Sequence, residues 1–159
     1  MQAWLAVQAQ RLKGMVAAML KNVPPILSPE LLKTLAEMGH GDELVIADGN
    51  FPASALARRL VRADGHNVPA VLDAILEFCP LDTYVEQPVA LMDNGDPQNP
   101  PPVWERLRYI VERHEGEQPF ELVNRFDFYD RAKRAFAVVA TSETALYANV
   151  IIKKGVLGS

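Results

Sequence analysis

Apolar positions along this chain alternate between two periods, and the alternation predicts its architecture. Leu31, Leu32, Leu35 and Met38 keep the spacing of a helix that buries one face. Ser28 is placed to cap that helix and Pro29 to fill its first turn, where a missing N–H leaves nothing unpaired. Gly39 is placed to end it. Residues 44–47 form a short, unbroken apolar run of the kind a strand covered on both faces needs, and Asn50-Phe51-Pro52 breaks it. The pattern then predicts a short helix over 54–60, a strand over 61–63, and a helix from Asn67 through Val71, Leu72, Ile75 and Leu76 that Pro80 stops. A strand over 89–92 follows, then a loop over 93–102 rich in Asp, Asn, Gly and Pro, which reads as a connection within one domain. Residues 103–114 predict an amphipathic helix with Trp104, Leu107, Ile110 and Val111 inward. A strand over 120–123, a helix over 127–134 and strands over 136–140 and 150–152 complete the chain. Helices and short apolar strands alternate throughout, so the fold class is α/β with a layered sheet. There is no internal repeat and no glycine-rich phosphate loop.

Composition narrows the partners. A chain of 159 residues, 49% hydrophobic and 23% charged, is long enough for one domain with a substantial core. A net charge of −4 argues against nucleic acid or an anionic membrane as partner. No apolar run approaches the length of a membrane span. The single cysteine, Cys79, excludes an intramolecular disulfide and fits a reducing, cytoplasmic compartment. In its apolar surroundings it reads as a buried thiol and not a nucleophile. Residues 1–18 carry Arg11 and Lys13 and no acid, and Trp4, Leu5, Leu12, Met15 and Val16 fall near one helical face. A targeting peptide has this composition. The reading favoured here is a helical or disordered extension ahead of a single domain over 19–157.

Three polar clusters interrupt the pattern. In Gly39-His40-Gly41-Asp42-Glu43, His40 follows a helix C-terminus, whose dipole favours a positive imidazole suited to donating a proton. A histidine that only caps the last turn fits this segment equally well. Asp48 ends the strand at the sheet edge where α/β proteins bind ligands, or it starts a turn. His40, Asp42 and Asp48 also suggest a metal-dependent hydrolase, although no second well-placed histidine accompanies them. His66 and His114 read as surface residues. In the second cluster, Arg125 can hold a polar ligand through its forked donors, or pair with Asp127 or Glu121. Phe126 and Phe128 read as core. In the third, Tyr147-Ala148-Asn149 supplies a hydroxyl and an amide able to orient sugar hydroxyls, or ordinary turn chemistry.

Taken together, Ser28-Pro29-Glu30-Leu31-Leu32, Glu37 to Glu43, Phe51-Pro52, Arg62 to Gly65, Asn124-Arg125-Phe126, Phe128-Tyr129, Arg131-Ala132, Ala135-Phe136-Ala137 and Asn149 with Lys153 to Val156 resemble the L-fucose mutarotases, in the family that also holds the D-ribose pyranases. The resemblance spans 19–157. It implies a three-layer α/β/α sandwich with a central sheet, assembled as a ring-shaped homo-oligomer that is a decamer in bacterial members. It implies His40 as the acid/base group, with Asp48, Arg125, Tyr147, Ala148 and Asn149 at the sugar and Tyr147 able to relay a proton. Gly39-His40-Gly41-Asp42 and Asn50-Phe51-Pro52 resemble the fucose branch, while Ala148 departs from its usual glycine and leaves ribose as the alternative substrate. Opening and closing a monosaccharide ring requires no metal and no cofactor. A sugar-binding module without turnover would keep Asp48 and Arg125 but have no need of His40.

Overall fold

The computed structural model describes residues 19–158; the extension expected over 1–18 lies outside them. The first helix, α1 (Pro29–Glu37), starts as its sequence predicts: the Ser28 side chain accepts the Leu31 N–H at 3.1 Å. After it come β1 (Glu43–Ala47), α2 (Ala53–Leu56), β2 (Leu60–Ala63), α3 (Val68–Leu76), β3 (Val89–Met92), α4 (Val103–Glu115), β4 (Phe120–Val123), α5 (Arg125–Arg134), β5 (Ala137–Thr141) and β6 (Val150–Lys153). The strands form one six-stranded sheet in the order β2-β5-β1-β6-β3-β4. Its neighbours run parallel except around β6, which lies antiparallel between β1 and β3.

Side chains of the central strands alternate between two cores, as a pleated sheet covered on both faces requires. Leu44, Ile46, Val89, Leu91, Val139, Val150 and Ile152 face α1, α3 and α4. Val45, Ala47, Ala90, Met92, Val138 and Ile151 face α2 and α5, where Phe128 is fully buried. Arg131 of α5 grips Glu43 of β1 with both carboxylate oxygens and also reaches Glu121 of β4, so the helix is tied across the sheet. No helix among the described residues is long and apolar enough to cross a membrane.

Four expectations need correction. The helix expected over 54–60 ends at Leu56, because Leu60 to Ala63 is drawn into parallel pairing with β5. The helix expected from 127 begins at Arg125, because the Asn124 side chain caps it by accepting the Asp127 N–H at 3.0 Å. Phe126 is 73% exposed while Phe128 is buried, since residues two apart on a helix face different ways. His114 is likewise no surface residue: its Nε2 lies 2.6 Å from Asp73 of α3, beside Arg113, and joins α4 to α3.

The end of β6 is fixed against two loops. Gly41, in the left-handed region at φ +83°, donates to the Lys154 carbonyl at 2.8 Å. Gly155 passes so close to the segment before β3 that a Cβ there would lie 2.3 Å from the Leu81 carbonyl oxygen and 3.0 Å from Asp82 Cα. Gly155→Ala is therefore expected to lower stability by about 1–3 kcal/mol, the usual cost of overpacking, and to push Asp82 out of place. Chemical denaturation checks it; a variant as stable as the wild type would contradict this account of the contact.

Candidate active site

Asp48 follows the last residue of β1 and is buried, at 5% exposure. Its backbone N–H donates to Asn149 Oδ1 at 2.8 Å, and its own Oδ1 accepts the Asn50 N–H at 3.0 Å. Antiparallel pairing of β1 with β6 explains the first contact: where β1 ends, β6 begins, so Asn149 arrives beside Asp48 across 101 residues of chain. The Asn149 amide points on toward Met92 Sδ, 3.8 Å away. Burial raises the Asp48 carboxyl above the ordinary carboxylate range. Hydrogen bonds from the backbone N–H groups of Asn50, Phe51 and Ala148 and from Asn149 pull it the other way.

In front of Asp48 lies a cavity of about 240 Å³ lined by Asn50, Phe51, Met92, Arg125, Tyr129, Leu146, Tyr147 and Asn149. Arg125 stands in the first turn of α5 and donates through Nε to the Tyr129 hydroxyl at 3.1 Å. The carboxylates that competed for it are engaged elsewhere, Glu121 with Arg131 and Asp127 with Asn124. Its guanidinium therefore remains available to a ligand. Four of the expected sugar-site residues, Asp48, Arg125, Tyr147 and Asn149, thus share one cavity. Ala148 does not line it: its side chain is buried in the core, and only its N–H reaches Asp48. A larger cleft, about 800 Å³, lies against the proline-rich loop, but it holds no buried ionisable side chain.

His40 is elsewhere. It lies before β1 and Asp48 after it, and the strand between them rises roughly 13 Å. Asp42 remains with His40, its Oδ2 accepting the Gly39 N–H at 2.8 Å, so the His40, Asp42 and Asp48 set is split across the sheet and cannot hold one metal within a chain. Among the described residues no three His, Cys, Asp or Glu side chains converge on a metal position. Nor does His40 cap α1. Lys154 Nζ does so, donating to the Leu35 and Met38 carbonyls at 3.0 and 2.5 Å. His40 Nε2 instead lies 3.0 Å from Asp82 Oδ1, and its ring packs against Tyr84 with centroids 5.2 Å apart.

Asp82 was not legible as a functional residue. It is 4% exposed, and its carboxyl is held below the ordinary range first by the Tyr84 N–H and then, against the cost of burial, by His40. An ionised carboxylate only accepts hydrogen bonds, so His40 Nε2 donates and Nδ1 is left to exchange protons. Cys79 is buried as expected, and burial pushes its thiol up to about 11, far from a nucleophile's range.

The raised Asp48 carboxyl makes a pH prediction. Its stabilising contribution is full below the unfolded value, about 3.9, and is lost as pH rises through the higher folded value. Asp48→Asn removes this dependence. The stability of the wild type relative to the variant should fall as pH rises from about 4 toward neutrality. Melting temperatures across that range test it; a difference that grows with pH would contradict the burial argument.

This geometry can be set beside known proteins. Residues 21–157 match the model of the RbsD / FucU transport protein family. The human fucose mutarotase is 52% identical over 145 residues, covering 87% of this chain and 94% of that protein. The crystal structure of the Streptococcus pneumoniae fucose mutarotase in complex with L-fucose superposes with a TM-score of 0.84 at 47% identity, over 87% of this chain and 100% of that one. The Bacillus subtilis RbsD complexed with D-ribose is more distant, with a TM-score of 0.66 and 26% identity over 88% of this chain and 100% of that one. With the family model covering nearly all the described residues and about half of all positions shared with fucose mutarotases, the chain belongs to the RbsD / FucU family.

Proposed function

We propose that this chain is an L-fucose mutarotase that interconverts the α and β anomers by acid/base-catalysed opening and closing of the sugar ring. The observation that carries the reading is the cavity in front of buried Asp48, which joins Arg125, Tyr147 and Asn149 to an apolar wall of Phe51, Met92 and Leu146. A deoxy sugar matches that division: its hydroxyls meet the carboxylate, guanidinium and amide, and its methyl group and apolar ring face meet the wall. The greater similarity to the fucose-bound relative than to the ribose-bound one favours fucose over ribose.

In this reaction a base takes the proton of the anomeric hydroxyl, the C1–O5 bond breaks as a C1 carbonyl forms, and an acid protonates the departing ring oxygen. The aldehyde turns about C1–C2, and the same steps in reverse close the ring on its other face. Proton transfer by positioned groups accelerates such steps by roughly 10²–10⁴-fold, which suffices for a reaction that water alone supports. His40, backed by ionised Asp82, serves the ring oxygen through Nδ1. Tyr147 relays the proton at the anomeric hydroxyl, and Asp48, Arg125 and Asn149 hold the remaining hydroxyls.

His40 and Asp48 occupy opposite ends of β1, so a site using both takes His40 from a second copy. Such a contact is head to tail, since the His40 end of one copy meets the cavity end of the next. Repeated head-to-tail contacts close into a ring when the rotation permits. We infer a ring-shaped homo-oligomer, a decamer, working in the cytoplasm.

Saturation-transfer NMR on L-fucose tests the reading. The wild type should accelerate anomer exchange, and His40→Ala should lose roughly 10²-fold or more. Binding of fucose without faster exchange would make the chain a sugar-binding module; unchanged exchange in His40→Ala would remove His40 from the chemistry.

A further inference from the structure

Tyr147 adopts a backbone conformation rarely open to a tyrosine, with φ +56°. Something must hold it there, and the structure shows what. From the start of α4, the buried indole of Trp104 donates its Nε1–H to the Tyr147 carbonyl oxygen at 2.9 Å. A buried indole N–H needs an acceptor, and here the acceptor belongs to the wall of the sugar cavity. The peptide unit that supplies this carbonyl also supplies the Ala148 N–H, which is hydrogen-bonded to the Asp48 carboxylate. A trans peptide is planar, and its C=O and N–H point in opposite directions. One rigid plate therefore carries Trp104 on its far side and Asp48 on its near side. Rotating it would release both hydrogen bonds and swing the Tyr147 ring.

We propose that Trp104 is a positioning residue of the sugar site, which pins the Tyr147–Ala148 peptide from behind and thereby sets both the direction of Tyr147 and the hydrogen bond that Asp48 receives. The proposal deepens the mutarotase reading and rests on it. Trp104 does not itself line the cavity; its effect passes through the Tyr147–Ala148 peptide. The titratable and charged groups facing Asp48 in the cavity are Arg125 and Tyr129 from α5 and Tyr147 ahead of β6. None lies on α4, so a change at Trp104 reaches Asp48 by this route.

The test is Trp104→Phe, which keeps an aromatic ring in the core and removes the donor together with part of the indole's volume. Exchange of L-fucose anomers is measured by NMR against pH and sugar concentration, with melting temperature alongside. The maximal exchange rate should fall about tenfold, the scale of one hydrogen bond, with a smaller change in the concentration at half-saturation. The acidic limb of the pH–rate profile should move to higher pH, because Asp48 loses a donor that favours its ionised form. A variant that melts earlier but keeps its maximal rate and its acidic limb would overturn the proposal and leave Trp104 as packing alone. If Trp104→Phe does not fold, the wild-type site still answers. In Trp4→Phe protein the remaining indole N–H resonance is that of Trp104, and it should shift on titration with L-fucose; an unmoved resonance at saturation overturns the proposal. A wild type that does not accelerate exchange sinks the mutarotase reading and this inference with it, whereas normal exchange with an unaffected variant sinks the inference alone.

Discussion

The pairing of β6 against β1, antiparallel within an otherwise parallel sheet, is the constraint on which the site depends. Because the two strands run in opposite directions, each end of the pair joins a residue ahead of one strand to a residue behind the other. At one end Asp48 closes β1 and Asn149 opens β6, linked by the 2.8 Å bond from the Asp48 N–H. At the other, the His40 loop precedes β1, and Lys154 and Gly155 follow β6, linked through Gly41, Lys154 and Asp82. A parallel strand in the position of β6 would have brought Asn149 to the His40 end. The apolar alternation along both strands locks the register, since a slip of one residue would turn every side chain to the wrong core.

The same pairing divides the chemistry. The cavity end holds a buried carboxylate, a guanidinium with no carboxylate partner among the described residues, an amide and a tyrosine held in an unusual conformation. The opposite end holds a half-exposed imidazole oriented by a buried carboxylate. In the proposed reaction neither end is complete alone: the cavity end binds and relays, and the His40 end donates. Each end also carries an exposed apolar side chain, Tyr84 beside His40 and Leu146 beside the cavity. Exposed apolar groups rimming two complementary half-sites are what a contact between copies would cover.

Much of this was legible in the chain because the signals are local. The helical and strand periods located the central elements, Ser28 and Asn67 marked helix starts by their capping chemistry, and the burial of Cys79 followed from its apolar neighbours. What escaped was set by partners distant in sequence. Asp82 stands in an unremarkable loop and gains its role only because Gly155 lets that loop approach β6. In sequence His40 fits a cap as well as a catalyst, because Lys154, which takes the helix carbonyls, lies 116 residues from Met38. The asparagine cap that starts α5 at Arg125 is itself a local signal. Trp104 read as core, and it is core; its indole N–H matters only because the chain returns at Tyr147.

In the proposed ring each working site takes its histidine from one copy and its carboxylate from another. Mixing His40→Ala and Asp48→Asn, each expected to lose anomer exchange on its own, then dissociating and reassembling them together tests this. If the site is shared, random reassembly restores about one site in four to wild-type composition, and anomer exchange should recover toward about a quarter of the wild-type rate. If both residues served the same site from a single chain, every site would lack one of them. No recovery in rings shown to contain both variants would contradict the account.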